Sequence, residues 1–127
     1  MGPVSTKFQE RFSCLINHFR NAKYGGFLNL QEESGYTVLS QYDVMIFPTY
    51  WEGEGFPGVL VDALIAGLPV IASNWHLNSE VIEEGKTGWL IEVNDVTALA
   101  EKMKYVIHNR DQLTKISTWF YCEFNGI

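Results

Sequence analysis

Two carboxylates eight residues apart, Glu54 and Asp62, bracket the segment Glu54-Gly-Phe-Pro-Gly-Val-Leu-Val-Asp62. Residue types in this order suit a ligand made of a diphosphate and a sugar-like diol. Pro57 falls at the first position of a helix, where its missing N–H costs nothing. The N–H groups of Gly58 and Val59, at the positive end of that helix, can then hold a phosphate. Asp62, about one turn further in, can accept both hydroxyls of a ribose cis-diol. Glu54, in the loop before the helix, meets whatever lies beyond the diphosphate. The opposing reading is structural: a strand, a glycine loop and a helix meet in this way in many α/β layers, and Asp62 would then face solvent at a rim. An acid inside an otherwise apolar helix is costly unless it is partnered or functional.

The elements that must position these residues are legible around them. Asp43 to Phe47 reads as a buried strand that leads into a loop with glycines at 53, 55 and 58. The helix from Phe56 to Ala66 ends at Gly67, in the left-handed position, with Pro69 barring continuation. Val70 to Ala72 is the next strand, Asn78 to Glu84 a short helix, and Gly88 to Ile91 a further strand. Asp95 caps an amphipathic helix through His108, with Val96, Leu99, Ala100, Met103 and Ile107 as its apolar positions. Towards the amino terminus, Phe8, Phe12, Leu15, Ile16 and Phe19 give a helix over 6–20, which makes Lys7, Arg11, Arg20 and Lys23 its polar face. Lys23 to Leu28 reads as a short strand, and Tyr36 to Gln41 as a short helix. A final helical pattern runs from Asp111 to Phe124. Near-continuously apolar strands alternating with helices imply an α/β fold, a Rossmann-like parallel sheet of about four strands with helices on both faces. In such sheets, ligands bind at the carboxyl ends of the strands, where the loop from Thr49 to Phe56 lies.

Bulk properties narrow the function. At 127 residues, the chain is expected to be a single domain. A formal charge of −6, with basic residues scattered, argues against a broad nucleic-acid surface. Two cysteines, Cys14 and Cys122, give neither a disulfide framework nor a metal spacing, which fits a reducing, cytoplasmic setting. Both are expected to be buried apolar residues. His18, His76 and His108 stand apart from them, so no zinc site is expected. The longest apolar stretch, Gly58 to Ala72, is broken by Asp62 and Pro69 and marks a buried helix and strand rather than a membrane span.

Five motifs, in this order and spacing, resemble the signature of the family 4 glycosyltransferases: Tyr50-Trp-Glu-Gly-Glu-Gly-Phe-Pro-Gly58, Asp62-Ala63, Ala66-Gly-Leu-Pro-Val-Ile-Ala-Ser73, Asn78-Ser-Glu80 and Gly85-Lys-Thr-Gly88. The resemblance covers about residues 24–108. It implies the second, donor-binding half of a retaining GT-B enzyme that transfers a hexose from a UDP- or GDP-sugar to a glycan or lipid-linked acceptor. Such a reaction belongs to cell-surface polysaccharide or glycoconjugate synthesis. The nucleotide sugar is a substrate, and no cofactor or metal is implied. Glu52, Glu54 and Asp62 suggest a magnesium site on composition, but the family's mechanism needs no bound metal.

By the same resemblance, Glu54 is the catalytic acid of the family's paired-acid motif and contacts hydroxyls of the donor hexose, while Asp62 holds the ribose. The amides of Gly55, Phe56, Gly58 and Val59 surround the sugar and pyrophosphate. Two departures stand out. The second acid is Asp, one methylene short, and Pro57 occupies a place where the family often has Gly. Glu80 caps the following loop or touches ligand, Trp51 flanks the sugar or packs on its own domain, and Gly88 serves a tight turn.

The family's basic diphosphate contacts and its acceptor-binding first domain have no recognisable counterpart. The expectation is therefore a truncated carboxyl-terminal domain, inactive alone, whose partners are the nucleotide sugar and an absent amino-terminal domain or subunit. Any peripheral membrane association would come through that absent part. The alternative is a non-catalytic α/β fragment that associates with itself or a partner through aromatics such as Trp119, Phe120 and Tyr121.

Overall fold

The computed structural model describes residues 6–111 and residue 113. The chain divides into two compact units, residues 1–35 and 36–127, where the sequence suggested one. Helix α2, Glu33–Leu39, includes the boundary between them.

In the first unit, a single 3-10 turn, Thr6–Phe8, precedes helix α1, Gln9–His18. The expected helix is present but short, and none of its residues is buried. The Phe12 ring meets Tyr24 edge-on at 5.4 Å. Cys14 is exposed rather than buried. The expected strand at Lys23–Leu28 is absent. Gly26 takes a φ of 81°, which turns the chain out of the extended region within that run.

The second unit is the parallel layer. Strands β1 (Met45–Phe47), β2 (Val70–Ser73) and β3 (Gly88–Ile91) form one sheet in the order β1-β2-β3, both pairings parallel. Three of the four expected strands therefore pair among the described residues, and the fold class holds. The central strand is the most apolar, and Val70, Ile71 and Ala72 are fully buried. Alternate residues of a strand face opposite sides. Ile71, Trp89 and Ile91 share a cluster with Val106 and Leu113, which puts helix α5 (Val96–His108) on that face. Helix α3 (Gly58–Ile65) packs on β2 and buries Leu60, Ala63 and Leu64, leaving Val70 and Ala72 to its side of the sheet. Helix α4 is a single turn, Asn78–Val81. No helix among the described residues is long and apolar enough to cross a membrane.

The punctuation of α3 and α5 follows the sequence. Gly67 has φ 74°, and its N–H closes on the Leu64 carbonyl, ending α3. Asp95 Oδ1 accepts the Ala98 N–H at 2.9 Å, opening α5. The face of α5 that meets the sheet differs from the expected one. Val96 is 77% exposed and Ile107 57% exposed, whereas Val106 is buried and Ala98 and Leu99 pack beside it. Lys102 stands near this contact, its ammonium 6.0 Å from the Trp89 ring and 5.1 Å from that of Tyr105. The expected helix at Asp111–Phe124, with Trp119, Phe120, Tyr121 and Cys122, falls almost wholly outside the described residues.

Gly88 has a different purpose from the expected tight turn. It pairs with Val70 in the sheet, and a Cβ there would collide with the Val70 carbonyl. Gly88→Ala should destabilise the chain by about 3 kcal/mol, in the upper range for overpacking. Gly55→Ala, with open space around it, should change stability little. Urea denaturation of the two variants checks the contrast.

Candidate functional site

The loop of residues 48–57 leaves the carboxyl end of β1 and enters α3. Two side-chain bonds from neighbouring segments pin it, a third holds the serine that makes one of them, and a fourth lies within the loop. Ser73 Oγ, at the end of β2, donates to the Thr49 carbonyl. Asn78 Nδ2, fully buried at the start of α4, donates to the Ser73 carbonyl at 2.9 Å. Trp75 Nε1 donates to the Trp51 carbonyl at 3.0 Å. Thr49 Oγ1 then donates to Glu54 Oε2 at 3.0 Å. Glu54 is therefore half-buried and aimed, with its own N–H on the Trp51 carbonyl at 3.1 Å.

Tyr50, Trp51 and Phe56 stand out from the same loop, between 55% and 68% exposed. Trp51 thus does not bury against its own domain. Its ring lies over Gly53, where a Cβ would strike it. An open surface lined by Pro48, Thr49, Tyr50, Trp51 and Glu52 adjoins the acid. His76, on the loop after β2, takes a φ of 46° and packs its ring edge-on to Trp75.

The amides at the mouth of α3 divide into two groups. Gly58 N–H donates to the Phe56 carbonyl at 2.9 Å. The expectation that it is free for phosphate is corrected here: buried Pro57 draws the chain into a tight reverse turn that consumes this donor. The Leu60 N–H is taken by the Pro57 carbonyl at 3.0 Å. Gly55, Phe56 and Val59 donate to no backbone carbonyl among the described residues. Val59 lies in the first turn of α3, where a helix presents its positive end, and Gly55 and Phe56 lie in the loop that leads into it.

Asp62, half-buried on α3, has a partner that the sequence did not indicate. Tyr36 Oη, on α2, donates to Asp62 Oδ1 at 2.7 Å. The bond couples residues 26 positions apart, and no local pattern announces it. Donation to the carboxylate, with lesser contributions from burial and from the Asp62 charge, raises the Tyr36 hydroxyl above its ordinary value of 10.0.

Glu80 is exposed, and its own N–H donates to the Leu77 carbonyl at 3.0 Å. Among the described residues, no three His, Cys, Asp or Glu side chains are grouped as a metal site. Glu52, Glu54 and Asp62 are thus not brought together as one. The sequence had marked Glu54, Asp62 and their loop; it missed Thr49, Trp75 and Tyr36. Ser73 and Asn78 lie inside motifs already singled out, so the motif was the available signal for them.

Comparison with known proteins bears on the whole layer. The family model described as Glycosyl transferases group 1 matches residues 5–118. A phosphatidyl-myo-inositol mannosyltransferase of Mycobacterium leprae is 32% identical over 96 residues, which are 75% of this chain and 24% of that protein. The crystal structure of HepE from Anabaena in complex with UDP superposes with a TM-score of 0.75 at 20% identity, covering 91% of this chain and 32% of that one. The C-terminal domain of the group 1 protein LpcC from Francisella tularensis superposes with a TM-score of 0.71 at 20% identity, covering 94% of this chain and 62% of that one. The chain spans 17% to 24% of the length of the curated relatives it matches.

The raised Tyr36 hydroxyl has a consequence for stability. The folded chain holds this proton more tightly than the unfolded chain, so folding loses stability wherever the unfolded state has already released it. The Tyr36 contribution is complete below pH 10.0 and is lost as pH rises through the higher folded value. The stability difference between wild type and Tyr36→Phe should be constant below pH 10.0 and shrink above it. Urea denaturation of both proteins across that range measures it.

Proposed function

Because this chain belongs to the group 1 glycosyl transferases, we propose that it forms the donor-binding part of an enzyme that moves a hexose from a UDP- or GDP-sugar to a glycan or lipid-linked acceptor. The setting is cell-surface polysaccharide or glycoconjugate synthesis, on the cytoplasmic side. The observation that carries this reading is the mouth of α3. There, a pinned carboxylate, amides that bond to no backbone carbonyl and a second acid follow one another within nine residues.

In this reading, the N–H groups of Gly55, Phe56 and Val59 face the diphosphate and the sugar, and Gly58 supplies room for close approach rather than a donor. When the bond from the anomeric carbon to the diphosphate breaks, negative charge grows on the leaving phosphate. Fixed amide dipoles at a helix start stabilise that charge without reorganising. Glu54 is the catalytic carboxylate that accepts hydrogen bonds from hydroxyls of the hexose and fixes the ring. Its orientation is set by Thr49 before any ligand arrives, which is the preorganisation that transfer requires. Asp62 accepts from the ribose. The reaction proceeds with retention and needs no metal ion. The acceptor is held by protein beyond this chain, and transfer requires a cleft closed from that side so that water does not take the sugar. This chain alone binds donor without turning it over.

The M. leprae relative, whose name places a lipid headgroup as acceptor, and the UDP complex of HepE support the two ends of this proposal. Calorimetric titration with UDP, GDP and their hexose conjugates tests it. Asp62→Ala should weaken nucleotide binding by about tenfold to a hundredfold, the worth of hydrogen bonds to a charged group. Glu54→Gln should leave the free nucleotide unaffected while removing the added affinity of the hexose. Unchanged nucleotide affinity in Asp62→Ala would sink the ribose assignment.

A further inference from the structure

We propose that Tyr36 is a positioning residue that divides the Asp62 carboxylate between protein and ligand, so that the site senses one ribose hydroxyl above all. The inference rests on the reading of Asp62 as the ribose acceptor and goes beyond it. A carboxylate offers about four lone-pair sites on two oxygens. Tyr36 occupies Oδ1 at 2.7 Å, the length of a charge-assisted O–H···O bond. No other partner of the Asp62 side chain is found among the described residues, so Oδ2 faces no competing donor.

Aspartate has only two side-chain torsions. Fixing one oxygen from α2 leaves the other in one place relative to the mouth of α3. The donor comes from a different helix, so the position of Asp62 depends on tertiary packing and not on α3 alone. An acid one methylene shorter than glutamate covers less space when it swings. The tyrosine therefore converts a short side chain with limited reach into an acceptor fixed at one point. A ribose meeting that point gives one strong hydrogen bond to Oδ2, and its second hydroxyl shares Oδ1 with Tyr36 at best.

The experiment measures binding of UDP, 2′-deoxy-UDP and 3′-deoxy-UDP, and of the matching guanosine set, to wild type, Tyr36→Phe and Asp62→Ala. Wild type should favour the ribonucleotide over one deoxy analogue by about tenfold, the loss expected of one charge-assisted bond, and over the other by much less. Tyr36→Phe should weaken the ribonucleotide while leaving the disfavoured deoxy analogue nearly unchanged, so that the ratio between them falls by roughly threefold or more. Partial misfolding of the variant lowers the binding-competent fraction for every nucleotide alike and leaves the ratio intact. An unchanged ratio in Tyr36→Phe, with Asp62→Ala weakened, overturns the positioning proposal alone. Full affinity in Asp62→Ala, or no nucleotide binding by wild type, overturns the ribose reading and the proposal with it.

Discussion

The loop that carries Glu54 depends on one buried hydroxyl. Pairing between β1 and β2 ends at Phe47 opposite Ala72. The residue after β1 is Pro48, which has no N–H to continue a ladder. Ser73, 1% exposed, takes over where the ladder stops: its Oγ holds the Thr49 carbonyl, and its own carbonyl is held by Asn78. The Ser73 hydroxyl satisfies the Thr49 carbonyl where the ladder can no longer do so, while the Ser73 carbonyl accepts from both Asn78 Nδ2 and the Trp75 N–H. With these bonds, Thr49 is fixed, its hydroxyl meets Glu54, and the carbonyl of Trp51 lies within reach of Trp75. The strand order thus reaches the acid through a short chain of hydrogen bonds. Glu54 is thereby held from the carboxyl ends of β1 and β2, although it sits on a loop.

What was legible in the sequence was whatever depends on near neighbours. The α5 boundaries, Val96 and His108, follow from an aspartate cap three residues before the N–H it accepts, and the end of α3 follows from Gly67 and Pro69. β3 was legible as an apolar run after a glycine. The glycine loop and the apolar run after it placed Glu54 on a loop and Asp62 on a helix, and both lie there. Properties set by residues distant in the chain were not legible. The stripe of α5 that meets the sheet depends on Ile71, Trp89 and Ile91, which Val106 joins in one cluster with Ala98 and Leu99 beside it. Lys23–Leu28 has strand composition but no partner strand, and composition alone cannot supply one. The bond from Tyr36 to Asp62 joins separate elements, and the turn that consumes the Gly58 N–H depends on how Pro57 is buried.

Electrostatics explains why such fixed geometry matters at this site. From Lys23 to Lys86 the chain contains no intervening lysine or arginine, and the segment that forms the mouth of α3 carries Glu52, Glu54 and Asp62. With a formal charge of −6, this chain by itself offers a diphosphate no net long-range attraction. In the proposed donor site, its own contribution would come from dipoles at contact distance, and a dipole's field falls off faster than that of a charge. Amides at a helix start therefore compete with nearby carboxylates only if each carboxylate is held where it meets hydroxyls and not phosphate oxygens. In the proposed donor site, Thr49 would do this for Glu54 and Tyr36 for Asp62. On that reading, the two hydroxyl donors restrain like charge as much as they aid recognition, because an acid released from either could swing towards the phosphate path and oppose the amides.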